Sequence, residues 1–310
     1  MINRILLRIK ILQILYSYYK DDSKSTANAE KELFFSIEKT YELYHYFLLL
    51  IIELTTYAQK RIEIGKNKFR PTDKELQPNC RFAENKFAQQ LAGNKQLNAY
   101  LKNKKISWTD NASVIKNLYD EILSSPYFIE YMEAETNSYE DDKNIWRKIF
   151  KKSILNNEDL ENTLEEQSIY WNDDLDFVVS FVIKTIKKFE EESGIEQALM
   201  PMFKDEEDAD FARKLFRSVV GNRTNYSALI DEHTKNWEFG RIAFMDVVIM
   251  EIALAELINF PTIPVNVTLN EYIEIAKTYS TEKSGTFING VLDNIVSQLK
   301  KENKLIKAKL

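Results

Sequence analysis

The chain has very little of what builds turn-rich or metal-bound folds. Among 310 residues there are 7 glycines, 6 prolines, one cysteine and 2 histidines. So few glycines and prolines argue against a sandwich, barrel or propeller made of short strands and tight turns. The single cysteine, Cys80, excludes an intrachain disulfide. His45 and His233 are too far apart for zinc-ligand spacing. The longest apolar run, Tyr46 to Ile52, is far short of the ~20 residues a spanning helix needs. The N-terminus interleaves Arg4, Arg8 and Lys10 with its apolar residues, which is not a secretory leader. We therefore expect a cytoplasmic protein with no membrane segment.

Catalytic signatures are also missing. The chain has no glycine-rich phosphate loop, no G-x-G-x-x-G, no G-x-S-x-G elbow and no H-E-x-x-H. Nothing local activates Cys80, and His45 lies in an aromatic seam where packing is the better reading. The expectation is no enzyme, no cofactor and no metal.

Composition otherwise describes a well-cored globular chain: 44% hydrophobic, 12% aromatic, with a formal charge of −6. That charge disfavours indiscriminate nucleic-acid coating, but its distribution is uneven. Residues 1–20 hold Arg4, Arg8, Lys10 and Lys20 and no acid, and residues 60–105 hold 12 Lys or Arg against 4 acids. Eight carboxylates from Asn156 to Asp176 and five from Asp205 to Asp210 compensate, as solvated helix faces and first turns.

Periodicity predicts helices throughout. Residues 3–20 are apolar on nearly every side, and a longer helix runs over 27–64. Residues 65–80 break the pattern with Pro71 and Pro78. Helices follow near 81–103, 110–124, 126–135, 139–155 and 172–192, then at 205–221, 225–235, 238–259, 268–279 and 284–303. Thr268-Leu-Asn-Glu271 reads as a capping box, Ser284 as the cap of the last helix, and Gly290 as a point of close backbone approach. This divides the chain into N-terminal helices (1–64), an inserted or elaborated helical region (65–195) and a C-terminal bundle (196–310).

Two places could bind a polyanion. Arg4 and Arg8 share one stripe at a helix N-terminus, where acids are the usual choice. Lys277 and Lys283 flank Tyr279 near Ser284, with Phe287 one turn on, a mixture suited to single-stranded nucleic acid. From chemistry alone the stronger reading is that the arginines are solvated and that the rings simply close the core.

The C-terminal run resembles the NusB family of transcription antitermination factors. The resemblance rests on Phe211-Ala-Arg-Lys-Leu, Trp237 with Arg241 and Asp246, and Ile252-Ala-Leu-Ala-Glu-Leu257. It continues through Asn270-Glu271, Ile273-Glu-Ile-Ala-Lys277, Ser284 and Phe287-Ile-Asn-Gly-Val-Leu-Asp293. Arg4-Ile-Leu-Leu-Arg8 and Gln13-Ile-Leu-Tyr16 are similar to the family's N-terminal motifs. The resemblance implies an all-α NusB-like bundle, here with an additional helical insertion. It also implies pairing with the ribosomal protein NusE, binding of single-stranded boxA-like RNA in ribosomal RNA operon transcripts, and work within the transcription elongation complex. Carried over residue by residue, RNA would meet Arg4, Arg8, Lys10, Tyr16, Lys277, Tyr279, Thr281, Glu282, Lys283 and Phe287. Glu251 stands where many members carry arginine, and Lys283 replaces a usual acid. The basic 60–105 segment would extend the RNA surface. NusB-like domains also occur fused to RNA cytosine methyltransferases, but the glycine-rich cofactor domain and cysteine motif of those enzymes are absent. The competing reading is a protein-only helical adaptor that docks NusE or another transcription or ribosome factor and touches RNA little.

Overall fold

The structure, a computed structural model, describes residues 2–21, 23–234 and 242–307. Trp237 and Arg241 of the family resemblance lie outside the described residues, as does the expected start of a helix at 238. The described residues are helical, with an isolated parallel bridge between Ile2 and Phe203. They form two compact units, one of residues 38–202 and one of Ile2–Ile37 with Phe203–Leu310. The boundaries differ from the three sequence blocks because the long second helix is shared: its first turns belong to the terminal unit and the rest to the middle unit.

In the terminal unit, α1 (Arg4–Lys20) begins at Asn3, whose side chain accepts from the Leu6 N–H at 3.0 Å. Leu6, Leu7, Ile9, Ile11, Leu12, Ile14 and Leu15 are all buried, so the helix is enclosed on every side, as its all-round apolarity predicts. The start of α2 (Thr26–Lys66) buries Leu33 and Ile37. α11 (Glu206–His233) is capped by Asp205 and carries Glu206, Glu207 and Asp208 in its first turn. Two helices were expected here, and two helical segments form, meeting at a kink where Asn222 leaves helical geometry at φ −122° and ψ 16°. α12 (Phe244–Asn259) is buried from Val248 to Leu257 and packs on α11, α13 and α1.

α13 (Val265–Tyr279) and α14 (Ser284–Lys301) close the bundle. The capping box is corrected here. Pro264 is the N-cap, which starts α13 a turn earlier, and Thr268 is buried inside it, donating its hydroxyl to Glu256 at 2.9 Å. Gly290 has open space where a Cβ would stand. The close approach is at Gly285, whose Cβ would lie 3.1 Å from Lys277 Cγ.

The middle unit is aromatic. The remainder of α2 is followed by α3 (Asp73–Leu76), α4 (Lys86–Gly93), α5 (Lys95–Lys104), α6 (Ala112–Ser124), α7 (Pro126–Glu133), α8 (Tyr139–Ile149), α9 (Glu158–Gln167) and α10 (Leu175–Lys188). The single helix expected over 81–103 is two, because Asn94 ends α4 and caps α5 by accepting from the Leu97 N–H. α8 runs on into a π-helical turn, Phe150–Ile154. Phe82 packs against Phe128 and Trp146 with centroids 5.0 and 5.1 Å away, and Tyr46 stacks on Trp108 at 3.9 Å. His45 is buried, donates from Nδ1 to the Tyr41 carbonyl and stacks on Tyr100 at 3.6 Å, the packing role read from sequence.

Candidate nucleic-acid interface

Arg8 is the first expected contact that the structure relocates. Its guanidinium donates to Glu256 in a fork, Nε to Oε2 at 2.7 Å and Nη2 to Oε1 at 2.9 Å, and Nη1 reaches Glu271 at 3.3 Å. Arg8 is 3% exposed and Glu256 fully buried. Thr268 and Tyr272 donate their hydroxyls to the same carboxylate. Burial works against the Arg8 charge, but the hydrogen bond and charge of Glu256, with Glu271 beyond, outweigh it and raise its pKa. Lys10 is also buried. These two cations are therefore interior groups of α1. The acids missing from residues 1–20 are supplied by α12 and α13, far away in sequence.

Arg4 stays half-exposed, paired with Asp208 at 3.3 Å and Glu207 at 3.8 Å. It stands at one end of an open groove of about 750 Å³ whose walls carry Arg213, Lys214 and Arg217 of α11, over Phe211 and Phe260. Glu30 partly neutralises Arg213 and Arg217, while Lys214 Nζ lies 5.0 Å from the Phe260 ring centre. The sequence reading missed these α11 cations as site residues. The signal was their repeat at 213 and 217, one face of a helix.

The other expected residues gather at the opposite end of α1, because α12 runs antiparallel to it: Arg8 meets Glu256 late in α12 and Tyr16 meets Phe244 at its start. Twelve residues at 1.5 Å each put Tyr16 about 18 Å along the axis from Arg4. At this end Lys20 Nζ lies 4.4 Å from the Phe244 ring centre, and the Phe244 and Tyr16 rings are 5.5 Å apart. Lys277, Thr281, Glu282 and Lys283 are exposed, and Tyr279 and Phe287 half-buried. The turn between α13 and α14 is pinned from below by Asp246, which accepts from the Ser280 and Ser284 hydroxyls at 2.5 and 3.0 Å. The Thr281 N–H donates to Ser284 Oγ. Ser284 is therefore not the cap expected: Lys283 takes the N-cap position without a side-chain cap, and Ser284, the first residue of α14, commits its hydroxyl to the turn and to the buried Asp246.

Glu251 is buried, accepts from the Ser227 hydroxyl at 2.6 Å and faces Arg223 at 3.9 Å. Burial raises its pKa. Arg223 in turn covers the Tyr19 ring at 3.6 Å. The described residues contain no His, Cys, Asp and Glu group that could hold a metal ion, and no helix long and apolar enough to cross a membrane.

A sequence profile of the NusB family matches residues 176–297. The transcription antitermination protein NusB of Salinibacter ruber is 40% identical over 132 residues, 41% of this chain and 82% of that protein. Its counterpart in Listeria welshimeri is 38% identical over 107 residues, 34% of this chain and 83% of that protein. In Chloroherpeton thalassium the identity is 41% over 99 residues, 32% of this chain and 47% of the relative. A solved structure of T. maritima NusB is 26% identical, covering 49% of this chain and 91% of its own, at a TM-score of 0.29, too low to compare the folds. The matched segment contains α11 to α13 and most of α14, including the Glu256 carboxylate that anchors Arg8 and the Asp246 that pins the exposed turn; this chain belongs to the NusB family.

Proposed function

We propose that this protein is a transcription antitermination factor that binds single-stranded boxA-like RNA of ribosomal RNA operon transcripts jointly with NusE, within the transcription elongation complex. The observation that carries the reading is the α13–α14 turn. There Lys277, Thr281, Glu282 and Lys283 stand exposed on a base fixed by Asp246, with the Phe287, Tyr279 and Tyr16 rings at hand. Cations that track phosphates beside rings that stack bases suit a single strand. Arg4 and its groove are a second cationic contact, while Arg8 and Lys10 support α1 from inside. The function is binding, with no catalytic step.

Anisotropy of labelled boxA-like RNA with and without NusE tests this. If Arg4, Lys277 and Lys283 each neutralise one phosphate, log affinity falls with log salt at a slope near −2, from about −0.7 per contact. The triple alanine variant then flattens that slope. Unchanged affinity and slope in the triple variant sink the reading. The protein-only adaptor is favoured by the acid partners already held by two of these cations, Glu207 and Asp208 by Arg4 and Glu274 by Lys277. Co-purification with NusE without any gain in RNA affinity is its signature.

A further inference from the structure

Where α2 ends, Ile64, Phe69 and Leu76 are 64%, 95% and 53% exposed. Residues 60–76 carry Lys60, Arg61, Lys66, Lys68, Arg70 and Lys74 against Glu63, Asp73 and Glu75, a local excess of cations in a chain of net charge −6. The turn is built. Thr72 accepts from the Glu75 N–H at 3.3 Å and its own N–H donates to Glu75 Oε2 at 2.9 Å, a true capping box, and Lys68 also pairs with Glu75. The Arg70 guanidinium lies 5.8 Å from the Phe69 ring centre. Beside it a groove of about 540 Å³ is lined by Tyr57, Arg61, Lys68, Lys74, Lys116 and Tyr119. Arg61 is occupied by Asp120, whereas Lys66, Lys74 and Lys116 are exposed.

We propose that this corner of the middle unit is a second single-stranded RNA site, with a base stacked on Phe69 and phosphates held by Lys66, Arg70, Lys74 and Lys116. The inference rests on reading the chain as an RNA-binding factor and assigns part of that binding to the region outside the family's common length. Charge complementarity selects the occupant. An aromatic face with a guanidinium beside it and a cationic groove alongside fits a strand of bases and phosphates. A lipid surface would ask for a continuous apolar face, which three separated side chains do not provide.

The test uses the full chain and a short fluorescein-labelled oligouridine. Phe69→Ala should weaken binding about 5- to 100-fold, the range for losing one stacked base. Lys66→Ala with Arg70→Ala and Lys74→Ala should make the salt slope shallower by about 2. In Phe69→Trp, whose ring is as exposed, oligouridine should quench the indole fluorescence. Phe69→Ala and the triple variant binding like the parent overturn the proposal. So does quenching of F69W by phosphatidylserine vesicles but not by oligouridine. Phe69-dependent oligouridine binding with no preference for boxA-like RNA supports this site while refuting the boxA reading. Intact boxA binding that ignores Phe69 does the reverse.

Discussion

Arg8 and Glu256, 248 positions apart in the chain, meet as a buried fork with both donor distances below 3 Å. Breaking such a pair from one side strands the other charge in the interior. Arg8→Ala should therefore cost about 3–5 kcal/mol, against less than about 1 kcal/mol for Arg4→Ala, whose partners lie nearer the surface. Urea unfolding of the two variants measures the contrast, and equal losses would contradict the structural role of Arg8.

Burial among Tyr41, Tyr44 and Tyr100 pushes His45 down from 6.5 to about 4. A base with a depressed folded pKa contributes stability that is complete above 6.5 and is lost as pH falls towards 4. At 1.36 kcal/mol per unit, the loss by pH 4 is on the order of 3 kcal/mol. Denaturation midpoints measured across this window should fall for the parent, and His45→Phe should remove that part of the slope.

Glu251 has the opposite sign. A carboxyl whose pKa is raised on folding stabilises fully below its unfolded value of 4.5 and loses that stability as pH rises from there through its folded value, so Glu251→Gln should stabilise at neutral pH and make no difference in acid. The gain expected is about 0.5–2 kcal/mol, typical of single stabilising changes. The amide oxygen of the variant keeps an acceptor for the Ser227 hydroxyl. Thermal melts of parent and variant at pH 7 and in acid would show whether the difference vanishes as stated.

Two glycines should respond in opposite directions to alanine. Gly290 sits exposed in α14 with nothing within 4 Å of a new Cβ, so Gly290→Ala should gain about 0.5–1 kcal/mol of helix stability. At Gly93 the new Cβ would lie 2.7 Å from Ile195 Cγ2, and Gly93→Ala should destabilise by about 1–3 kcal/mol. Calorimetry of both variants decides the signs.

The sequence was most informative where one segment carries its own reasons. The apolar girth of α1, the seam of α2 and the aromatic setting of His45 all announced their roles. It was least informative where the partner is remote. Arg4 and Arg8 look alike four residues apart, yet only Arg8 is itself buried with its carboxylate, and Glu256 cannot be paired with it by spacing. The Thr268–Glu271 pattern is a genuine local signature that lost to Pro264, whose fixed φ suits a helix start three residues earlier. Asn94 shows the same limit, dividing a helix expected to be single by capping the next turn, whereas the break expected after 221 is present as the kink at Asn222. Arg213 and Arg217 became visible as a groove only once α11 lay beside α1.

The terminal unit is drawn from two stretches of chain, 2–37 and 203 onward, with the whole middle unit encoded between them. On a ribosome adding about 5–20 residues per second, the 248 residues between Arg8 and Glu256 take roughly ten to fifty seconds to appear. For that interval the first helix is a sticky nascent rod with no counterpart to receive it. Its early custody would fall to chaperones at the exit tunnel.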